Sequence, residues 1–227
     1  MVLIDAKGHV KLADFGLAKY IKRENNKFGT TNTFCGTVEY MAPEIVTGNG
    51  HSKEVDWWTL GTLMYDMLEG RPPFQSPDSN REETMRSIRV GKLVLNKDLS
   101  KEARDIIVGL LQRNYKNRLG FGDSCDGGDV EAVLRHPYFV YYGLDDRDKI
   151  EALNVPFIPF TPEIEDFSDA PYVESCFKKL TLAGSPPDTI PDFYDETFSG
   201  FSYPNNFIQQ EETCELGSSP LVTLTCR

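Results

Sequence analysis

The sequence lacks any long apolar run. No apolar stretch approaches the roughly 20 residues that a membrane-spanning helix needs, and the opening MVLIDAKGHVK becomes charged too early for a secretory signal. We therefore expect a protein without membrane contacts that is located in the cytosol or the nucleus.

Cysteines are also too few and too scattered to organise the structure. The five of them are Cys35, Cys125, Cys176, Cys214 and Cys226, an odd number without a CxxC pair or a histidine at ligand spacing. This pattern argues against a disulfide framework and against a structural zinc site. We expect reduced thiols.

A surplus of basic charge is missing as well. Residues 1–143 hold 19 acidic and 19 basic side chains, whereas residues 144–227 hold 16 acidic and 5 basic ones. A nucleic-acid-binding surface needs clustered Lys and Arg to neutralise phosphates, so no nucleic-acid partner is expected. The acidic segment is typical of a solvated or regulatory tail.

The segments with a recognisable pattern of apolar and polar residues lie before residue 144. Two short apolar runs flank a Lys7-Gly8 turn and predict paired strands at 2–5 and 9–13. The polar stretch 19–37 lacks periodicity and predicts a long loop.

Four helices are predicted after this loop. The segment 55–68, VDWWTLGTLMYDML, is apolar on nearly every side, which predicts a buried helix that ends at Gly70. The others are predicted near 80–90, at 100–113 with Ser100 as N-cap, and at about 129–135.

From about residue 144 the periodicity fades and prolines accumulate. Aromatic residues persist there, which indicates a tail that wraps on a surface and is not a simple linker. We divide the chain into residues 1–143, a folded domain, residues 144–203, a tail, and residues 204–227, which carry no recognisable signal.

Four motifs in order give the strongest functional signal. They are Asp14-Phe15-Gly16, Ala42-Pro43-Glu44, Asp56-Trp57-Trp58 and Asn117-Arg118-Leu119-Gly120. The first alone is weak, but the order and spacing of all four resemble a protein kinase catalytic domain from its magnesium loop to its end. The resemblance implies an α+β, protein-kinase-like fold: a partial, mostly helical large lobe plus an extended C-terminal tail.

The resemblance also implies ATP and Mg²⁺ as cofactors. Asp14 would hold magnesium on the nucleotide phosphates, since a carboxylate is a hard oxygen ligand. Phe15 would pack inward beside it, which is also what a purely structural aromatic would do, and Gly16 would supply backbone freedom.

Regulation and substrate binding are assigned by the same resemblance. Thr33 matches the activating phosphorylation site, with Lys19 as the nearby cation; without the resemblance Thr33 would be an ordinary exposed loop hydroxyl. Asp66 matches the acidic position that binds a substrate arginine before the acceptor. The alternative interpretation is that Asp66 only forms the polar edge of a buried helix. Phe34, Val38 and Met41 match the positions that form the pocket for the substrate residue after the acceptor. Thr37 matches the position that bonds the catalytic aspartate, and a Thr there suits a Ser/Thr kinase.

Three further residues are expected to be structural. Glu44 and Arg118 match a buried ion pair that ties the end of the loop to a late helix, and Asp56 opens the buried helix. Removal of one partner of such a pair is strongly destabilising.

The tail narrows the family. Residues 198–203, FSGFSY, resemble the hydrophobic motif of AGC kinases, with Phe198 and Phe201 as docking residues and Ser202 as a phosphorylation site. Ser185 resembles their proline-directed turn motif. FCGTVEYMAPEI and LMYDMLEGRPPF look most like the ribosomal-protein-S-six kinase branch.

Two functions are compatible with these motifs. The first is an ATP-dependent Ser/Thr kinase that acts on proteins with basic residues before the acceptor and is switched by an upstream activating kinase. The catalytic aspartate and the nucleotide-binding lobe of the family find no match in the chain, so we expect a fragment that is inactive alone and has an uncovered apolar face. The alternative is a non-catalytic binding module whose hydrophobic motif docks in trans on an upstream kinase.

Overall fold

The computed structural model describes residues 1–24, 27–122, 128–163, 172 and 222–223. The chain divides into two compact units, Met1–Pro162 with Leu221–Arg227, and Glu163–Pro220. In the described part of the second unit, the Glu163 amide donates a hydrogen bond to the Tyr172 hydroxyl at 3.0 Å. The first unit carries nearly everything that follows.

The first unit begins with an antiparallel hairpin. Strands β1 (Val2–Ile4) and β2 (Val10–Leu12) pair with Val2 opposite Leu12 and Ile4 opposite Val10. The turn has Gly8 at φ +87°, a left-handed conformation that glycine adopts without a Cβ penalty. The predicted pair of strands is confirmed; β1 ends one residue earlier than predicted, and β2 is one residue shorter at each end.

The segment predicted as a long loop contains three short strands. Strand β3 (Lys19–Tyr20) pairs with β6 (Val222–Thr223), and β4 (Arg23–Glu24) pairs with β5 (Lys27–Phe28). Two-residue strands are too short for an alternating pattern to reveal them, which is why the sequence predicts only a loop here.

The rest of the first unit is helical. The described α-helices are α1 (Pro43–Thr47), α2 (Glu54–Glu69), α3 (Arg81–Val90), α4 (Lys101–Leu110), α5 (Gly128–Leu134), α6 (Pro137–Tyr141) and α7 (Arg147–Glu151), and 3₁₀ turns occur at Val38–Tyr40 and Tyr115–Asn117. The predicted helices near 80–90, 100–113 and 129–135 correspond to α3, α4 and α5. None of the described helices is long and apolar enough to cross a membrane.

Helix α2 is the centre of the core. Trp58 is completely buried and stacks on Phe74, with ring centroids 5.6 Å apart. Where α2 crosses α4, a Cβ on Gly61 would lie only 2.8 Å from the Leu110 Cβ, so glycine sets how closely the helices approach. The C-terminal end of α2 nevertheless leaves Met67 and Leu68 exposed, so the helix is not covered on every side.

Side-chain caps fix the starts of the two helices that follow α2 in the chain. The Asn80 carboxamide oxygen accepts hydrogen bonds from Glu82 N and Glu83 N at the start of α3. At the start of α4 the Ser100 hydroxyl accepts one from Ala103 N, as predicted. Ile106 and Ile107 of α4 are then fully buried in the core.

The compact unit continues past residue 143, where the predicted catalytic part ends. After α7, residues 156–160 pack against the β1–β2 turn: a Cβ on Gly8 would lie 2.3 Å from Ile158 Cγ2 and 2.4 Å from the Phe160 carbonyl oxygen. The start of the predicted tail therefore belongs to the same packed unit as the hairpin.

Candidate functional site

The carboxylate of Asp14 lies exposed just beyond the end of strand β2. Its backbone has φ +65°, a left-handed conformation in which Asp is tolerated better than most residues. Its Oδ1 accepts a hydrogen bond from Gly16 N at 3.1 Å, so the local turn orients the side chain. The predicted metal-binding residue is thus held at the rim of the hairpin.

Phe15 differs from the prediction. It is 60% exposed instead of packed inward. Val10 and Leu12 on strand β2, which precedes it, are exposed as well. The side chain that follows Asp14 is therefore open to solvent.

Thr33 is part of a polar cluster on the segment that follows β5. Lys19 Nζ lies 2.6 Å from Thr31 Oγ1 and 3.2 Å from Thr33 Oγ1, and the two hydroxyl oxygens are 3.1 Å apart. The backbone of Thr31 pairs with that of His51 in both directions at 2.9 Å. The cation predicted to meet a phosphate at Thr33 is therefore already in contact with that hydroxyl.

The residues predicted to bind substrate next to the acceptor, Phe34, Thr37, Val38 and Met41, differ in exposure. Phe34 is half-exposed, with the Arg81 guanidinium 5.7 Å from its ring centre. Thr37 precedes the Val38–Tyr40 turn, and Val38 packs against the core. Met41 is only 3% exposed and belongs to the core, whereas Phe34 and Thr37 are open to solvent.

Asp66, on α2, is engaged by a residue that the sequence did not single out. The hydroxyl of Tyr40 donates a short hydrogen bond to Asp66 Oδ2. The Thr59 hydroxyl, also on α2, donates to the Tyr40 carbonyl oxygen at 3.4 Å. Because Tyr40 and Asp66 are 26 residues apart, no local pattern could have indicated this contact.

Glu44 and Arg118 form the ion pair that the resemblance predicted. Arg118 Nη1 and Nη2 donate to the two Glu44 carboxylate oxygens at 2.7 and 2.9 Å, a bidentate arrangement. Nη1 also donates to the Glu54 carbonyl oxygen at 2.7 Å, and the guanidinium lies 5.3 Å from the Trp58 ring centre. Asp56 lies in the first turn of α2.

A second buried ion pair was not predicted. Lys53 Nζ lies 2.8 Å from Asp129 Oδ2, and both side chains are almost completely buried. The ammonium also lies 4.3 Å from the centre of the Phe28 ring, within cation–π range. The pair joins the start of α2 to α5 across 76 residues of sequence.

Two buried titratable groups lie next to these pairs. Burial raises the pKa of the Glu54 carboxyl; a hydrogen bond from its own backbone N–H and the charges of Lys53 and Arg118 only partly oppose that shift. Burial lowers the pKa of His51; Glu44 acts to raise it and Lys19 to lower it further. Both shifts have the same origin, because desolvation disfavours the charged form.

The tail residues predicted to regulate or dock fall outside the described residues. They are Ser185, Phe198, Phe201 and Ser202. Their roles stay predictions from the sequence.

Comparison with known proteins gives a consistent result. The protein kinase domain model matches residues 2–139. The chain is 44% identical over 205 residues to "Ribosomal protein S6 kinase beta" of Caenorhabditis elegans, which covers 89% of this chain and 34% of that protein. It is 38% identical over 224 residues to "Ribosomal protein S6 kinase 2 beta" of Xenopus laevis, which covers 98% and 33%.

The chain thus spans about a third of the length of these relatives. The α+β fold and the resemblance to the S6-kinase branch that the motifs predicted are confirmed. Because the family model covers more than half of the chain, the chain belongs to the protein kinase family, with ribosomal protein S6 kinases among its relatives.

Proposed function

We propose that this chain contributes the magnesium-binding loop and the substrate-binding surface of an ATP-dependent Ser/Thr protein kinase. The observation that carries the proposal is the geometry at Asp14. Its carboxylate is exposed at the rim of the hairpin, and its left-handed backbone and its hydrogen bond to Gly16 N orient it outward from the helical core.

The residues at this rim offer one carboxylate, that of Asp14, to a magnesium–nucleotide complex. The described residues contain no cluster of three or more potential metal ligands. Mg²⁺ commonly uses one or two protein carboxylates and takes its remaining oxygens from water and phosphates, so one exposed carboxylate suffices on this side. When bound, the metal would neutralise charge on the transferring phosphoryl group, and Asp14 would hold and orient it.

Regulation by phosphorylation is part of the proposal. A phosphate on Thr33 would carry a charge of about −1.5 to −2, and Lys19 Nζ is already 3.2 Å from the hydroxyl that would receive it. The pairing would stabilise the segment between β5 and the Val38–Tyr40 turn. We extend this scheme to Ser185 and Ser202 on the basis of their motifs, with an upstream kinase as partner.

Recognition of basic substrates is proposed for the surface around Asp66. A guanidinium that binds Asp66 would have to compete with the Tyr40 hydroxyl for the same carboxylate. Such competition favours arginine, whose bidentate, charged hydrogen bonds are stronger than a single bond from a neutral phenol. Phe34 is exposed enough to contact a substrate residue after the acceptor.

The test is phosphoryl transfer by the protein isolated from its own cells. The protein, captured with an antibody against residues 204–227, should transfer phosphate from ATP to a peptide with arginines before a serine. It should act much less on the same peptide with alanines in place of the arginines, and Mg²⁺ chelation should abolish transfer. Absence of transfer, or equal action on a tyrosine acceptor, would contradict the proposal.

A variant pair then tests the role of Asp14. Made in the whole protein as isolated from its own cells, Asp14→Asn should reduce turnover by several orders of magnitude, because the amide removes the charge that holds the metal. Asp78→Asn, at an exposed position of a loop, is the matched control and should leave turnover unchanged. Full activity of Asp14→Asn would remove Asp14 from the site.

A further inference from the structure

A cavity of about 360 Å³ lies on a part of the first unit to which no role has been assigned above. Its walls come from residues 28–30, from the start of α2 and from residues 115–121. Three aromatic rings, of Phe28, Tyr115 and Phe121, line it. Two of them, Tyr115 and Phe121, hold each other edge to face with ring centroids 5.8 Å apart.

The buried charges beside this cavity do not balance. Arg118 is neutralised by Glu44 and Lys53 by Asp129, each through a short ion pair. Glu54, which also lines the cavity, is only 7% exposed and is not part of such a pair; its own backbone N–H donates to its carboxylate, and Lys53 and Arg118 act electrostatically in favour of its charged form. Among the described residues, none donates a hydrogen bond to its carboxylate from another side chain and none forms an ion pair with it.

The backbone N–H of Glu54, Lys53 and Arg118 stabilise this carboxylate only in part, and burial still disfavours its charged form. The cost is visible in the direction of the Glu54 pKa, which burial raises. Of the other ionisable groups that line the cavity, Glu44 is paired with Arg118, and burial lowers the pKa of His51, which disfavours its charged form. Lys116 also lines the cavity and is exposed.

We propose that this cavity binds an arginine side chain from a peptide segment of a partner protein. The guanidinium would pair with the Glu54 carboxylate and stack on the aromatic walls, since a planar cation suits both an acidic group and ring faces. The volume is sufficient for a whole side chain and not only for its head group. The site is separate from Asp66, and the proposal does not depend on kinase activity.

The location gives such a site a connection to the segment that carries Thr33. His51 lines this cavity and also a smaller one formed with Lys19 and Thr33. The His51 backbone pairs with that of Thr31, next to Thr33 in the cluster. A side chain bound against His51 therefore contacts a residue that supports the phosphorylation segment.

The test titrates the full-length protein with N-acetyl-arginine methylamide and with its citrulline analogue, and follows the amide NMR signals of Gly50, Tyr115 and Phe121. Citrulline keeps the shape of arginine without the charge. We expect saturable shifts with the arginine compound and at least tenfold weaker binding of the citrulline compound. Because the proposed ligand is part of a peptide, an Ala-Arg-Ala peptide should bind more tightly than the arginine compound.

Variants then assign the effect to Glu54. Glu54→Gln should weaken binding of the arginine compound at least tenfold, whereas Glu82→Gln, an exposed first-turn glutamate of α3, should bind like the wild type. The absence of shifts up to roughly 10 mM ligand, the weakest affinity of interest here, would overturn the proposal. The proposal would also be overturned if the citrulline compound bound the wild-type protein as tightly as the arginine compound, or if Glu54→Gln bound the arginine compound as tightly as the wild type.

Discussion

The hairpin of residues 1–16 and the helical part of residues 38–122 contrast sharply. All six strand residues of the hairpin are exposed, and it presents the Asp14 carboxylate. The helical part buries Trp58 completely, contains the Glu44–Arg118 ion pair and contributes Lys53 to the pair with Asp129. Backbone hydrogen bonds hold the first region, whereas apolar burial and buried charge pairs hold the second.

The residue proposed to bind magnesium and most of the stabilising contacts therefore lie in different regions of the protein. The helical part supplies most of the free energy of folding, because burial of apolar surface is the dominant favourable term. The hairpin depends on its neighbours to keep its place. Substitutions should therefore separate into those that unfold the protein and those that affect only the rim.

The largest effect is expected from the Glu44–Arg118 pair. Arg118→Ala leaves the Glu44 carboxylate buried without its partner, and we expect a loss of about 3–5 kcal/mol in the free energy of unfolding. Urea denaturation measures it. Arg147→Ala, which breaks the exposed pair with Glu151, is the control and should hardly move the midpoint. A small loss for Arg118→Ala would contradict the contrast between the two regions.

Truncation of apolar side chains compares the two regions directly. Ile107→Ala in the core should cost about 2–5 kcal/mol, since it leaves a cavity among fully buried neighbours. Leu12→Ala on the exposed hairpin strand should cost far less. The same denaturation experiment measures both, and equal losses would mean that the hairpin is covered in solution.

A pair of glycines tests how firmly the hairpin is seated. Gly8→Ala should destabilise by about 2 kcal/mol or more, because its Cβ would meet Ile158 and Phe160 in addition to the left-handed strain. Gly48→Ala shares a positive φ but has open space around it, so about 1 kcal/mol is expected. Similar losses for both variants would show that residues 156–160 do not hold the turn.

The smallest effect concerns pH. The pKa of His51 is lower in the folded protein than its ordinary value of 6.5, so below that value the unfolded chain binds a proton that the native state resists. Stability contributed by His51 should be fully present above about pH 6.5 and should fall as the pH decreases through the lowered pKa. His51→Gln should flatten this part of the pH profile of the urea midpoint, whereas an unchanged profile would contradict the assignment. His136 titrates in the same sense and should retain its part of the slope.

Much of the fold could be predicted because its signals are local. The paired strands follow from two apolar runs around Lys7-Gly8, and α4 follows from Ser100 and an apolar face. The Glu44–Arg118 pair joins residues 74 apart, and only the resemblance to a family could indicate it. Position in a motif thus predicted a contact that periodicity could not.

What the sequence missed depends on the assembled surface. The contacts of Tyr40 with Asp66 and of Lys53 with Asp129 join residues far apart in the chain, without any residue type that indicates the partner. The exposure of Phe15 depends on which elements cover the hairpin. That Glu54 belongs to neither buried ion pair is visible only when the partners of Arg118 and Lys53 are known.

The contact between Gly8 and Ile158 has a consequence for the order of folding. The hairpin closes over a few residues, whereas this contact closes a loop that includes nearly all of the described chain. Because long loops close at a greater entropic cost, the hairpin turn should form early and residues 156–160 should dock on it late. Changes at Ile158 should then accelerate unfolding and leave the refolding rate nearly unaltered.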